Sequence, residues 1–538
     1  FKVKTIWLPL FILKILWLSF YHISTGSEKP NFVVIISESH STSAVGAYKG
    51  YLSDINPTPN LDLISQKGII FTNAFCTNAT SGPSTASILT GKYSHLNGFI
   101  HNGYKFNTSQ NYLPKILKEL GYQTALFGRW GLGVKPKYFD DWSILTDPTE
   151  KYNPEFLNTK SKKRIEGHST DIISDLALDW LHKKKNVKPF FLLIQFNATN
   201  KPWMPAIRHL RLYDDKLLPE PINLIDEHIG KASPARYQSM EIKKDLDLAN
   251  DLFFPSEKSD RNQSEKMDDL NGQKNLDLMT PEQHSAWKLS WRPKNEAFLR
   301  ENHSNENILH WKFQRFTKNY LRCISGIDEN VKRINELLTA TNKTDSFLIY
   351  TSNHGRFLGE HGWFGSKWIY EESSKVPLII RMPFGLSSTN TVSSLVQNID
   401  LAQTILDYAG LKEVKEMQGE SVSQLLDNED SNNTWRNSIY FHHNEFPGDQ
   451  MIAKHYGIRT LRHKLIHFYQ FDEWEFYDLE NDPNESKNLY GKENFSSELE
   501  KMKQLLVRNR TKYLDDSDIS IMPEEWRKIY RGPEARKE

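Results

Sequence analysis

Ser81 opens the segment Ser81-Gly82-Pro83-Ser84-Thr85 and carries a hydroxyl that can serve as a nucleophile. Pro83 suits the first turn of a helix, so Ser81 is predicted at a helix N-terminus, where the backbone dipole favours anions. A serine there attacks directly only if a base or a metal activates it. Other residues offer chemistry with a blander counterpart. His442, His443 and His455 either line a pocket mouth or are packed on a small sheet. Trp203 and Trp287 either stack on sugars or belong to the core, and Lys183–Lys185 reads as the solvated end of a helix. The two cysteines, Cys76 and Cys323, are either a pair or two buried thiols, and they exclude a disulfide scaffold and a Cys-based metal site. Asn78, Asn107, Asn197, Asn262, Asn302, Asn342, Asn432, Asn484, Asn494 and Asn509 each head an N-x-S/T triplet. Together they point to a glycosylated extracellular or lumenal protein.

A scaffold must hold these groups, and the hydrophobic pattern outlines one. Continuous apolar runs at Phe32–Ile36, Ile69–Phe75, Gln123–Phe127, Phe190–Phe196, Phe347–Thr351 and Pro377–Arg381 suit strands covered on both faces. Helical periodicity lies between them at Leu113–Leu120, Thr170–Lys183, Phe313–Leu338 and Asp400–Ala409. This alternation predicts an α/β fold with a doubly wound, mostly parallel sheet. Residues 231–278 are charged and weakly periodic, and are predicted as a long, partly disordered excursion. From residue 438 the texture changes to short antiparallel strands and an amphipathic helix at Glu498–Lys512, a smaller α+β subdomain spanning 438–538. Residues 1–26 read as a signal peptide, or as an uncleaved signal anchor, the one route by which this chain would meet a membrane. The 538 residues carry 68 Lys+Arg against 67 Asp+Glu, a net charge of +1 that gives no basic surplus for nucleic acid. A mean hydropathy of −0.60 excludes a polytopic membrane protein.

Several segments together resemble type I sulfatases of the alkaline-phosphatase-like superfamily. They are PNFVVIISESHSTSAVGAY at Pro30–Tyr48, PTPNLDLISQKGIIFTNAFCTNATSGPSTASILTGKYSHLNG at Pro57–Gly98 and GYQTALFGRWGLG at Gly121–Gly133. GHSTDIISDLALDWL at Gly167–Leu181, TSNHGRFLGEHGWFGSKWIYEESSKVPLIIRMP at Thr351–Pro383 and EWEFYDLENDP at Glu473–Pro483 complete the set. The resemblance covers nearly the whole chain, assigns residues 30–437 to a sulfatase-like α/β domain, and looks most like glucosamine-6-sulfatase-type glycan sulfatases.

The resemblance implies a formylglycine nucleophile above a Ca²⁺ ion, with Lys, Arg and His neutralising the sulfate and protonating the leaving alcohol. Carried over residue by residue, the nucleophile position is Ser81, and formylglycine is not expected there because secretory-pathway maturation acts on Cys. The motif's Arg position is Thr85. The metal positions are Glu38, Ser39, Asn353 and His354, where one carboxylate remains, so Ca²⁺ binding is expected to be weak or lost. The Lys-x-His pair falls on Arg129 and Gly131, and a further His on Asn200. The last Lys falls on Ser366, with Lys367 one residue out of register. These substitutions predict a secreted, catalytically impaired sulfatase relative that binds sulfated glycans without hydrolysing them. A second reading is an active hydrolase of sulfate or phosphate esters, with Ser81 as nucleophile beside a divalent metal held by Glu38 and His354. A third is a structural extracellular glycoprotein.

Overall fold

The computed structural model describes residues 29–184, 188–254, 265–300, 307–383, 391–427, 435–448 and 450–530. The expected leader (1–26), Lys185 and the sequons at Asn262, Asn302 and Asn432 lie outside the described residues. In chain order the strands are β1 (Asn31–Ser37), β2 (Ile69–Phe71), β3 (Ala74–Phe75), β4 (Gln123–Gly128), β5 (Asp141–Leu145), β6 (Glu155–Asn158), β7 (Lys162–Arg164) and β8 (Phe190–Phe196). They continue with β9 (Ser346–Ser352), β10 (Leu378–Arg381), β11 (Thr391–Val392), β12 (Val396–Gln397), β13 (Ile439–His443), β14 (His455–Arg459), β15 (His463–Phe468) and β16 (Glu473–Asp478).

Ten of them form one sheet in the order β11-β2-β10-β9-β1-β8-β4-β5-β6-β7. β1, β8 and β9 are buried at every position, which is why their sequences run apolar without alternation. β1 pairs in parallel with β8 and β9, and β4 with β8 and β5. Toward the edges β10 runs antiparallel to β9 and β2, and β6 antiparallel to β5 and β7, so the sheet is mixed with a parallel centre. Helices Pro59–Gln66, Ser169–Lys183 and Asn307–Ala340 pack into one layer, and helices Ser81–Thr90, Leu113–Glu119 and Asp400–Tyr408 into another. Past residue 438, β13-β14-β15-β16 form an antiparallel sheet, and helix Ser496–Lys512 buries Met502 and Leu506 against it.

The charged excursion differs from its expectation. Ala232, Ala235, Met240, Ile242, Leu246 and Leu252 are buried, and Glu265–Leu278 and Pro281–Arg300 are helical. Apolar residues scattered among charges at no fixed period read as loop, yet each finds a place in the core. The segment also braces the loop that follows β9: Ile242 N–H donates to Gly362 (2.8 Å) and Phe364 N–H to Met240 (3.0 Å). Cys76 and Cys323 are buried free thiols, not a pair.

Candidate active site

The carboxyl ends of four adjacent strands meet at one cleft, where open α/β sheets place their ligands. Glu38 and Ser39 follow β1, Arg129 follows β4, Asn200 lies just past β8, and Asn353, His354 and Arg356 follow β9. The cleft has a volume of about 220 Å³, and Ser81, Arg129, Asn200, His354, Ser366 and Lys367 are among its walls.

Ser81 begins helix Ser81–Thr90, whose every residue is buried. Its Oγ lies 3.0 Å from His354 Nε2. His354 Nδ1 lies 2.8 Å from the Gly355 carbonyl, which can only accept, so Nδ1 carries the proton and Nε2 a lone pair facing Ser81. Burial pushes the His354 imidazole down to about 3, against the Gly355 hydrogen bond, and Arg356, Arg129 and Lys367 push it the same way. The ring is therefore neutral at physiological pH, with the Nε2 lone pair turned to Ser81. The helix terminus offers fewer amides to an anion than its position suggests. Gly82 N–H donates to Asn102 Oδ1 (3.1 Å), Ser84 N–H to the Thr80 carbonyl (2.9 Å), and Pro83 has none. The anion's charge falls instead to side chains.

Arg129 supplies the first of these, its guanidinium set against the fully buried Glu38 carboxylate. Burial lowers Arg129 to about 10, which leaves it charged at neutral pH. Arg356, which the sequence reading missed, is the second. It donates to the Phe364 carbonyl (2.8 Å) and to Asn200 Oδ1 (3.2 Å), and its guanidinium lies over the Trp203 ring. The available signal was its position three residues after Asn353, on the loop leaving β9. Lys201 and Gln450 line the cleft and were also missed.

Lys367 reaches the cleft through its backbone. Its φ of 81°, in the left-handed region, turns the chain so that Ser366 and Lys367 both line the wall, and Lys367 pairs with Glu445 at 3.6 Å. Ser39 also has a positive φ, 51°. Such strain in non-glycine residues gathers at functional sites. Thr85 turns away from the cleft, its hydroxyl donating to the Ser81 carbonyl (2.9 Å) and accepting from Gln195 (3.3 Å).

The donor set does not suit the Ca²⁺ that the resemblance implies. Ca²⁺ takes six to eight oxygens, several of them anionic. Here the one carboxylate of the carried-over metal positions, Glu38, is engaged by Arg129. Asn353 Oδ1 accepts from Ser39 N–H (3.1 Å), and Asn200 Oδ1 accepts from Ser39 Oγ (2.9 Å) and from Arg356. The amide oxygens are thus turned toward donors, and two guanidiniums would face the ion. Among the described residues, the three-member cluster of metal-ligating types is His95, His442 and Asp515, outside this cleft.

Other sequence expectations sort by burial. His442, His443 and His455 are packed, not at a pocket mouth, with His442 Nδ1 2.7 Å from Asp515. Trp203 and Trp287 belong to the core. Asn78, Asn197 and Asn509 are buried and bonded internally, Asn197 accepting from Ser169 (3.0 Å) and donating to the Pro148 carbonyl (2.8 Å), so the folded chain offers them to no glycan. Asn107, Asn342 and Asn494 are exposed and Asn484 half-buried.

The chain matches the family model described as Sulfatase over residues 30–411 and that described as N-sulphoglucosamine sulphohydrolase, C-terminal, over 359–512. It is 36% identical over 497 residues to an N-acetylglucosamine-6-O-sulfatase of Bacteroides thetaiotaomicron, covering 91% of this chain and 88% of that protein. It is 26% identical over 449 residues to the N-acetylglucosamine-6-sulfatase of Homo sapiens, covering 78% and 68% of the two chains. It also superposes, with a TM-score of 0.86 and 36% identity, on a solved structure in complex with its substrate D-glucosamine-2-N,6-O-disulfate, covering 91% of this chain and 99% of that one. Sulfatase family members use Ca²⁺ and formylglycine. The expectation of an impaired, binding-only protein is overturned by these relatives, a 36% identical sulfatase and a structure caught with its substrate, and the purely structural reading falls with it. Taken one position at a time the substitutions read as losses, whereas several of the side chains in their places bond to one another around the cleft.

Proposed function

The chain belongs to the sulfatase family, and from that premise we propose that it hydrolyses the 6-O-sulfate ester of a glucosamine residue in a sulfated glycan, with Ser81 at the nucleophile position. The observation that carries the reading is the 3.0 Å approach of Ser81 Oγ to the lone pair of His354 Nε2 in a cleft lined by cations. A sulfate monoester carries one negative charge, and Arg129 and Arg356 provide fixed countercharge for it. His354 takes the Ser81 proton as Oγ bonds to sulfur. The bond from sulfur to the sugar 6-oxygen breaks, and that oxygen takes a proton from Lys367. The sulfuryl group, now on Ser81, passes to water; one water proton leaves on hydrogen sulfate and the other restores Lys367, while His354 returns its proton to Ser81. The same residues support recognition of sulfated glucosamine, the substrate class of the bound relative.

The test is sulfate release from D-glucosamine-2-N,6-O-disulfate and from N-acetylglucosamine-6-sulfate. Ser81→Ala is expected to lower kcat by at least about 10³-fold. No release from either sugar, or equal release by Ser81→Ala, would contradict the proposal. Mass spectrometry of the peptide holding residue 81 tells whether a serine hydroxyl or the family's formylglycine stands there, since the aldehyde lacks two hydrogens. We also place the protein in the secretory pathway or outside the cell. Exposed sequons at Asn107, Asn342 and Asn494 support this, and glycosidase-sensitive mass at those three sites and none at Asn78, Asn197 or Asn509 is the expected pattern.

A further inference from the structure

We propose that the Arg129 guanidinium takes over the work of the family's divalent cation, so that this chain holds and polarises the sulfate with a protein-borne charge and needs no metal. The inference rests on the proposed sulfatase function of the same cleft. Three observations converge on it. First, the Glu38 carboxylate is fully buried at the end of β1, and neither oxygen has a hydrogen-bond partner apart from its ion pair with Arg129. A buried carboxylate needs a countercharge, and here a guanidinium provides it. Second, Arg129 keeps donor capacity for a ligand. Its Nε is buried without a partner, and the residue lines the cleft with Ser81 and His354. Third, Gly131 lies against the guanidinium. Gly131, at φ 68°, would carry a Cβ 3.4 Å from Arg129 Nε and 3.5 Å from Cζ. An imidazole built out from that Cβ would contest the guanidinium's place.

The oxygens around it tell the same story. Ser39, Asn200 and Asn353 satisfy one another and Arg356, presenting donors and closed amides where a hard cation would want open lone pairs. A guanidinium is planar, permanently charged and suited to two-point contact with an oxyanion. It offers sulfate both countercharge and orientation, and it leaves activation of Ser81 to His354.

The test uses the full-length purified protein. Elemental analysis is expected to find no stoichiometric divalent metal, and the melting temperature is expected not to move with Ca²⁺ or EDTA. Sulfate release is expected to be the same in either. With inorganic sulfate as probe, Arg129→Gln is expected to weaken binding by at least about ten-fold. The double variant Glu38→Gln/Arg129→Gln removes the stranded carboxylate; it is expected to recover the wild-type melting temperature while still binding sulfate weakly. Stoichiometric metal, EDTA-sensitive turnover restored by Ca²⁺, or unchanged sulfate affinity in the folded double variant would overturn the inference and leave the sulfatase function intact. Metal-free protein whose double variant loses sulfate affinity, but which releases no sulfate under any condition, would instead sink the proposed function and keep the Arg129 assignment.

Discussion

Two buried ionic regions of this molecule invite comparison, the cleft around Ser81 and the junction where the β13–β16 sheet meets the loop after β9. In the junction Lys464, Arg459, Glu371 and Glu485 close one another. Lys464 pairs with Glu371 (2.9 Å) and Glu485 (2.8 Å) and donates to the Ile369 carbonyl (2.9 Å). Arg459 holds Glu371 through two nitrogens at 2.8 and 3.1 Å. Burial pushes the Glu371 carboxyl up, but Arg459 and Lys464 outweigh it and hold it well below the usual range. In the cleft the balance is left open. Arg129, Arg356 and Lys367 face a 220 Å³ space, with Glu38 and Glu445 as their acidic neighbours. The same residue types thus do two jobs. A closed network fixes how two parts of the chain meet, whereas the cations of the cleft line a space that an anion can enter.

The contrast can be broken from either side. The largest effect is expected at Lys464→Met, which strands Glu485 and takes from Glu371 one of its two cations, and which should destabilise the fold by about 3–5 kcal/mol, read by chemical denaturation. Sulfate affinity of the folded fraction should not change; if it does, the two regions are not separate. Next, Arg356→Ala should lower kcat/KM for the sulfated sugar by about 10²–10³-fold. A stability loss larger than that catalytic loss would make Arg356 a structural residue like those of the junction.

A third effect concerns pH. Burial holds His40, His354, His361 and His455 down to about 3, from an ordinary value of 6.5. Between those values the unfolded chain binds more protons than the folded one, so stability is present above pH 6.5 and is lost as pH falls toward 3. Melting temperatures across that window check the slope. The kcat/KM profile should show no inflection at the ordinary histidine value, because His354 stays unprotonated through it. The smallest effect is expected at His455→Phe, which keeps the ring beside Phe441 and removes one titrating group. It should flatten the acid slope slightly and leave turnover alone.

The central scaffold was readable because β1, β8 and β9 are buried throughout and therefore apolar throughout. Helix Asn307–Ala340 was readable because its apolar face repeats at helical period. The antiparallel edges were not, since β6 and β7 are short and partly exposed and their pairing depends on neighbours far away in the chain. In the cleft, the resemblance to sulfatases, framed by Pro83 and by the ends of the first and ninth strands, located Ser81, Glu38 and Asn353. What residue types could not convey was compensation. Arg129 and Glu38 are distant in sequence, and only the fold shows that one neutralises the other. The left-handed turn at Lys367 leaves no mark on a lysine in the sequence. Arg356 carried no signal stronger than its place after β9.

The most direct test of this account is a crystal structure of the Ser81→Ala variant soaked with D-glucosamine-2-N,6-O-disulfate. The account predicts the 6-O-sulfate seated between Arg129, Arg356 and His354, with its sulfur facing position 81. A sugar bound with that sulfate turned to solvent, or held by a metal ion on Glu38 with Arg129 displaced, would contradict it.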